Sequence, residues 1–220
     1  MTPDLVLYGY WRSSAAYRVR IALNLKGLAY ETQPVHLVRD GGEQHAPEFQ
    51  ALNPQALVPC LVDQGQVFTQ SLAIIEYLDE TRPTPPLLPA DPAGRARARA
   101  LAQVVACDLH PLGNLRVLQH LASQFGADEA AKGVWSRHWI SEGLRALEAM
   151  LAGHVATGRF CHGDTPTIAD ACLVPQVYNA VRWKVPLDEY PTIRRIHEAC
   201  EGLAAFRLAA PEAQPDAPVA

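Results

Sequence analysis

The chain has 220 residues, of which 49% are apolar and 19% charged, with a formal net charge of −4. This balance is ordinary for a globular protein; it excludes a basic nucleic-acid surface, and no run of about 18 apolar residues is present to span a bilayer. Five scattered cysteines without C-x-x-C spacing, and eight histidines without metal-ligand spacing, argue against a disulfide framework or a metal site. They read instead as buried thiols in a reducing cytosol.

Met1 to Asp4 lacks the basic segment and apolar core of a leader peptide. Leu5-Val6-Leu7-Tyr8 reads as a buried strand. Ser13 and Ser14 then precede good helix formers that run to Lys26 and stop at Gly27. A strand, a hydroxyl-bearing turn and a helix in that order set free backbone N–H groups, and the positive end of a helix dipole, beside side-chain hydroxyls. An anion such as a thiolate suits that environment. Equally, a serine in this place serves as a plain helix cap.

Residues 29–35 read as a second strand ending at an edge with Pro34, Arg39 to Gln44 as a polar loop, and Pro47 to Leu52 as a short helix. Pro59 lies directly before the apolar strand Cys60-Leu61-Val62-Asp63. Its bond to Val58 is either trans at the first strand position or cis at a sharp turn. Gly65 joins that strand to Gln66-Val67-Phe68 as a hairpin, and Thr69-Gln70-Ser71 precedes a helix with Leu72, Ile75 and Leu78 on one face. The first eighty residues therefore predict an α/β layer domain.

Residues 82–92 carry five prolines in eleven and read as a stiff linker. Beyond it, residues 93–107 and 128–151 are helical and no strand-like alternation follows. Thr167 and Asp170 have the spacing of a reciprocal helix cap, a structural pair. Tyr190-Pro191-Thr192 opens the last expected helix, and the Pro/Ala tail from Pro211 is expected to fray. The expected domains are 1–82, a linker over 83–92, and an all-helical 93–220.

Arg12-Ser13-Ser14 followed by Arg18 to Leu23, Ala51-Leu52-Asn53-Pro54 with Val58-Pro59, and Gln70-Ser71 through Leu78 resemble the glutathione transferases, and more narrowly their zeta class. Pro111 with Asn114, Gly163 to Asp170, and Leu173 to Gln176 carry the resemblance over nearly the whole chain. It implies a thioredoxin-like α/β N-terminal domain, an all-α C-terminal domain, a cytoplasmic homodimer, glutathione as cofactor, no metal, and a cis Val58–Pro59 bond. By position, Ser13 and Ser14 are the implied catalytic residues and face the thiol. Together with Ala15, Gln44, Val58, Gln70, Ser71, Asp108, His110 and Asn114 they make the implied glutathione site. Gln70 and Ser71 would hold the γ-glutamyl carboxylate, the Val58 backbone the cysteinyl part and Gln44 the glycyl end.

The same resemblance implies isomerisation of maleylacetoacetate to fumarylacetoacetate in aromatic-ring breakdown, as in tyrosine degradation, by thiolate addition, rotation and elimination. Maleylpyruvate isomerisation and general conjugation of electrophiles are the alternatives. Arg12, Arg116 and Arg182 are the implied substrate-binding residues, since a planar guanidinium fork suits carboxylates. One position departs from the class: Ala15 stands where cysteine is common, so no protein thiol is available there.

Overall fold

The computed structural model describes residues 5–218; the first four residues and the end of the tail, considered above, lie outside them. The chain divides into two compact units, Met1–Leu87 with Gly202–Ala220, and Leu88–Glu201.

The first unit is built on a four-stranded sheet in the order β2-β1-β3-β4. The strands are β1 (Leu5–Gly9), β2 (Glu31–Pro34), β3 (Cys60–Asp63) and β4 (Gln66–Thr69). β1 runs parallel to β2 across the crossover helix α1 (Ser14–Leu25), whereas β1–β3 and β3–β4 are antiparallel. Helices α2 (Pro47–Leu52) and α3 (Ser71–Thr81) complete the layers. β2 is shorter than the expected 29–35 and pairs on one side only. As an edge strand it can end at Pro34, which has no N–H to donate. The expected βαβ, α, ββ, α order is observed, and the Val58–Pro59 and Thr84–Pro85 bonds are cis.

α1 is the core of this unit, with Val19, Ile21, Ala22 and Leu23 fully buried. Three cations on it are buried as well: Arg18, Arg20 and, just past its end, Lys26. Lys26 Nζ donates to Asp79 Oδ1 (2.8 Å) and to the carbonyls of Arg82 (2.8 Å) and Pro85 (2.9 Å), so all three ammonium donors are satisfied. Asp79 Oδ1 also accepts from Leu87 N at 2.8 Å. The first half of the expected proline-rich linker is therefore pinned onto the α/β unit, and its second half ends in the cap and first turn of the next helix.

The carboxyl end of the chain differs from expectation. It does not stay with residues 93–201, and it is not frayed over the described residues. Helix α10 (Ala204–Ala209) packs on α1 with Phe206 and Ala209 buried, and Arg20 Nε donates to Ala209 O at 2.9 Å. Pro211 and Gln214 are buried after it, and Gln214 Nε2 donates to Leu208 O (3.0 Å) and Ala210 O (2.8 Å). The reason is burial: two apolar residues of α10 cover α1, and its last carbonyl answers a buried guanidinium.

The second unit is helical. α4 (Pro92–Gln103) passes into a six-residue π-helical segment, Val104–Leu109, then a single turn α5 (His110–Leu112). α6 (Leu115–Phe125), α7 (Glu129–Leu151), α8 (Ile168–Arg182) and α9 (Pro191–Glu201) follow. The helix expected over 93–107 thus changes register before Pro111, which cannot donate to an α-helical ladder. α8 is buried continuously from Ile168 to Val177. Its start carries the expected reciprocal cap: Asp170 Oδ2 accepts from Thr167 N (2.7 Å) while Oδ1 accepts from Cys161 N (2.8 Å). Four cysteines are buried as expected, but Cys107 is exposed on the π-helical segment. Among the described residues no helix is long and apolar enough to cross a membrane.

Lys26→Met should leave the Asp79 carboxylate buried without its cation and cost about 3–5 kcal/mol in urea-induced unfolding. The double variant Lys26→Met/Asp79→Leu should recover part of that loss.

Candidate functional site

The register of the sheet gathers the N-terminal candidates. Tyr8 pairs with Cys60, Cys60 with Thr69, and Gly9 with Pro34. The carboxyl end of β1 therefore lies beside the start of β3 and the ends of β2 and β4. Four segments leave or enter at this edge: 10–13 with the serines, 35–45 with Gln44, 53–59 with Val58, and 70–71. The sequence candidates of this unit meet on one sheet edge because parallel and antiparallel pairing put their loops there.

At the first segment, Ser13 caps α1: its Oγ accepts from Ala16 N at 3.2 Å and its carbonyl accepts from Tyr17 N at 2.8 Å. The capping and the chemical readings of this serine coexist, because the cap uses a lone pair and leaves the O–H to donate. Ser14 is the first helical residue, and its hydroxyl makes no hydrogen bond among the described residues. The N–H groups of Ser14 and Ala15 lie in the first turn, where a helix offers no acceptor. Close approach of strand and helix rests on small residues, since a Cβ on Gly9 would stand 3.3 Å from the Ala16 methyl. Arg12 is half-buried, its guanidinium 5.4 Å from the Trp11 ring centroid.

A second helix start faces the same edge. Gln70 has φ 66° and ψ 112° and gives α3 no side-chain cap; its amide reaches Gln55 Oε1 at 2.7 Å instead. A non-glycine residue at such a φ costs on the order of 1–3 kcal/mol. The first intrahelical bond runs from Ile74 N to Gln70 O (2.9 Å), so the three preceding N–H groups have no helical acceptor. Ser71 is buried, and its Oγ accepts from Arg18 Nη1 at 3.2 Å. That bond ties the starts of α1 and α3 together.

Val58 packs its side chain against Val35, Phe49 and Cys60, and its peptide group enters no main-chain hydrogen bond among the described residues. Asn53 holds this loop, donating to Leu57 O at 2.7 Å and accepting from Gln55 N at 3.0 Å. Gln44 is buried with its Oε1 unpartnered and its Nε2 making one long bond, 3.4 Å to Leu37 O. Its loop is braced by Glu43, which accepts from His36 N at 2.7 Å and pairs with Arg39; these two contacts hold the Glu43 carboxyl below its ordinary range. Burial pushes the Cys60 thiol up to about 11, so the cysteine nearest this edge stays protonated at neutral pH.

The remaining candidates belong to the helical unit. Asp108 is exposed on the π-helical segment, and His110 half-buried directly after it. Asn114 caps α6, accepting from Arg116 N at 3.1 Å, and leaves the Arg116 side chain exposed in the first turn. Arg182 is exposed at the end of α8, its guanidinium 5.1 Å from the Trp183 ring centroid. Two contacts place the segment that bears Asp108 and His110. Leu109 inserts where α7 has Gly143, whose added Cβ would stand 2.1 Å from Leu109 Cδ1, and Trp135 Nε1 donates to Leu112 O at 2.8 Å. A separate groove of about 770 Å³, lined by Gly94, Arg97, Met150, His154 and His162, includes none of the candidates. Arg97 is spent there on the carbonyls of Cys161 and Met150 and on Thr157.

Sequence reasoning missed Arg18, Arg20 and Asn53 as parts of the site's frame. The signal for the arginines was present: residues two apart on a helix point about 200° apart, so Arg18 and Arg20 cannot both face solvent from a helix with one covered side.

Residues 7–86 match the family model described as Glutathione S-transferase, N-terminal domain, and residues 128–207 match Glutathione S-transferase, C-terminal domain. The chain is 54% identical to a probable maleylacetoacetate isomerase of Vibrio cholerae, covering 97% of this chain and 99% of that protein. It is 56% identical to a maleylpyruvate isomerase of a Ralstonia species, covering 96% and 98%. Among solved structures it is similar to the holo form of maleyl pyruvate isomerase, described as a bacterial glutathione S-transferase of the zeta class (TM-score 0.94, 54% identity, coverage 97% and 100%). It is also similar to a maleylacetoacetate isomerase from Methylobacterium extorquens with bound malonate and glutathione (TM-score 0.94, 47% identity, coverage 97% and 100%).

Gly143→Ala should destabilise the helical unit by about 1–3 kcal/mol in urea unfolding, because Leu109 must leave its seat. Gly113→Ala, with its nearest neighbour atom 4.0 Å from the added carbon, should fall within about 0.5 kcal/mol of the parent.

Proposed function

The chain belongs to the zeta class of the glutathione transferases, and from that premise we propose that it is a glutathione-dependent cis–trans isomerase converting maleylacetoacetate to fumarylacetoacetate. The observation that carries the reading is the pair of helix starts on one sheet edge, α1 with two serines and α3 without a side-chain cap, joined by Arg18 and Ser71. A tripeptide carrying a carboxylate at each end and a thiol between them fits this set of groups. The open N–H groups of α3 suit one carboxylate. The unpaired Val58 peptide suits added-strand pairing, and the unpartnered buried Oε1 of Gln44 suits an N–H of the far end of the peptide.

When bound, glutathione supplies a nucleophilic sulfur for reversible addition to the activated double bond, which leaves a single bond free to rotate. The chain's own task is to hold that sulfur as an anion. A thiol of pKa ~8.5 needs about 2.7 kcal/mol of preferential stabilisation to move down two units. A hydroxyl hydrogen bond to an anion contributes roughly 1.5–3 kcal/mol and a helix start about 0.3–1. Ser13 is the better-ordered donor, because the Ala16 N–H fixes its oxygen while its hydrogen remains available. Ser14 Oγ and the N–H groups of Ser14 and Ala15 add to the same field. With alanine at position 15 and Cys60 kept protonated, the borrowed sulfur has no rival on the protein at this edge.

Arg12, Arg116 and Arg182 take the substrate's carboxylates and the enolate charge of the addition step, supported by their guanidinium chemistry and their exposure or half-exposure. Asp108, His110 and Asn114 complete the cofactor's surroundings in this reading. A homodimer in the cytoplasm belongs to it as well, supported by the class resemblance and by four buried free thiols.

Purified protein with trace glutathione should turn over maleylacetoacetate while total thiol stays constant; steady thiol loss would mark a conjugating transferase instead. Parallel kinetics on maleylpyruvate assign the chain length, with the higher kcat/KM expected for maleylacetoacetate. Ser13→Ala should lower kcat at least a hundredfold and cost about 1 kcal/mol of stability as a lost cap. Ser14→Ala should lower kcat less and leave stability unchanged. Arg182→Ala should raise KM for the diacid about tenfold or more without altering glutathione affinity in calorimetry.

A further inference from the structure

We propose that Asp216, in the carboxyl-terminal segment, is a positioning residue for the catalytic turn, acting with Arg20 by clamping the peptide groups of Trp11. Asp216 Oδ2 accepts from Trp11 N at 2.9 Å, and Arg20 Nη2 donates to Trp11 O at 2.9 Å. Arg20 Nη1 also reaches Tyr10 O at 3.5 Å, the carbonyl that accepts from Ser13 N at 2.9 Å. Within residues 10–13 that Ser13–Tyr10 bond is the one main-chain hydrogen bond recorded among the described residues. Ser13 is tied forward to α1 by Ala16 and Tyr17, and the path that leads to it is set from outside, by a carboxylate on the N–H of Trp11 and a guanidinium on its C=O. Both act two residues before Ser13.

The arm that carries Asp216 is itself rigid. Arg20 Nε holds Ala209 O, Gln214 ties back to Leu208 and Ala210, and Ala217 N closes a turn on Gln214 O at 3.1 Å. Phe206 and Ala209 are enough to seat α10 on α1, whereas Asp216 is half-exposed and adds little burial. Its distinctive contribution is the directional, charge-assisted bond to Trp11. Asp216 also favours the charged form of Arg20 against the burial that pulls its pKa down to about 10. Catalytic donors are sensitive to placement, since a displacement near 1 Å costs on the order of a hundredfold in rate. The tail is thus part of the active site's support 205 residues from the turn it steadies.

This inference rests on the functional reading above, and its test separates the two. Three readouts are compared in wild type, Asp216→Ala and Asp216→Asn: hydrogen exchange across residues 11–15 in the glutathione-free protein, the pH titration of the ultraviolet thiolate band of bound glutathione, and kcat against KM. Asp216→Ala should exchange about tenfold faster at Trp11, move the thiolate titration up by about one pH unit, and lower kcat about tenfold with KM within threefold. Its melting temperature should stay within a few degrees of wild type. Asp216→Asn retains an acceptor oxygen without the charge and should recover most of the loss in all three readouts. Wild-type exchange and titration in Asp216→Ala, or an Asp216→Asn protein as impaired as the alanine variant, would overturn the proposal. If wild type forms no thiolate with glutathione, the functional reading falls, and the exchange rates of the free proteins still decide whether the clamp exists.

Discussion

The frame of the site depends on a buried guanidinium that hydrogen-bonds to carbonyls. Arg20 is 2% exposed, and its hydrogen bonds go to the carbonyls of Tyr10, Trp11 and Ala209. Removing a cation from water is costly unless its donors find acceptors, and three peptide oxygens give each of its three nitrogens one here, the Tyr10 contact long at 3.5 Å. At a pKa of about 10 the group remains charged at neutral pH, so the attraction it exerts on those oxygens is permanent. Lys26 repeats the device just past the end of α1, gathering Asp79 and two carbonyls of the proline-rich segment. One helix, with one cation at its middle and another just past its end, thereby fastens the serine turn, the carboxyl-terminal arm and the exit of the α/β unit to itself.

That fastening explains how two neighbouring helix starts can stay incompletely capped. Helix starts are ordinarily closed by a side chain, and α1 is closed by Ser13, yet its first N–H groups stay outward. α3 has no side-chain cap and begins at a residue of positive φ. Both are affordable because Arg18 and Ser71 bind the two starts together and the helices are otherwise buried. The polarity that a ligand would complete is thus held in place before the ligand arrives, which is the condition for electrostatic stabilisation without reorganisation.

The parts legible in the sequence were those written in local chemistry. The serines before an apolar helix, the Gln70-Ser71 start, the Thr167–Asp170 cap and the order of elements in the first eighty residues follow from periodicity and turn residues a few positions apart. The rest of the frame rests on long-range complementarity. Asp216 is a polar residue in a Pro/Ala-rich tail until Trp11 is folded beside it, and nothing near position 216 signals that partner. Lys26 looks like a helix-ending surface lysine, and only the returning segment 82–87 gives it carbonyls to bind. The π-helical widening before Pro111 required knowing that Leu109 would press into Gly143, a contact 34 residues apart in a different helix.

The two units also differ in how firmly they hold their candidate residues, and this bears on selectivity. Gln44 and Ser71 are buried, and Ser13 and Val58 half-buried, on segments braced by Arg18, Asn53, Glu43 and Arg20. A conserved tripeptide shape can be read by such fixed groups. Arg116 and Arg182, by contrast, are exposed, one in the first turn of α6 and the other at the end of α8 beside the Trp183 ring. A guanidinium binds a carboxylate by charge and fork geometry, and takes the same hold on any carboxylate that reaches it. In the functional reading proposed above, maleyl acids of different chain length therefore offer these arginines the same carboxylates. Discrimination between chain lengths then falls to the walls around those arginines rather than to the arginines themselves.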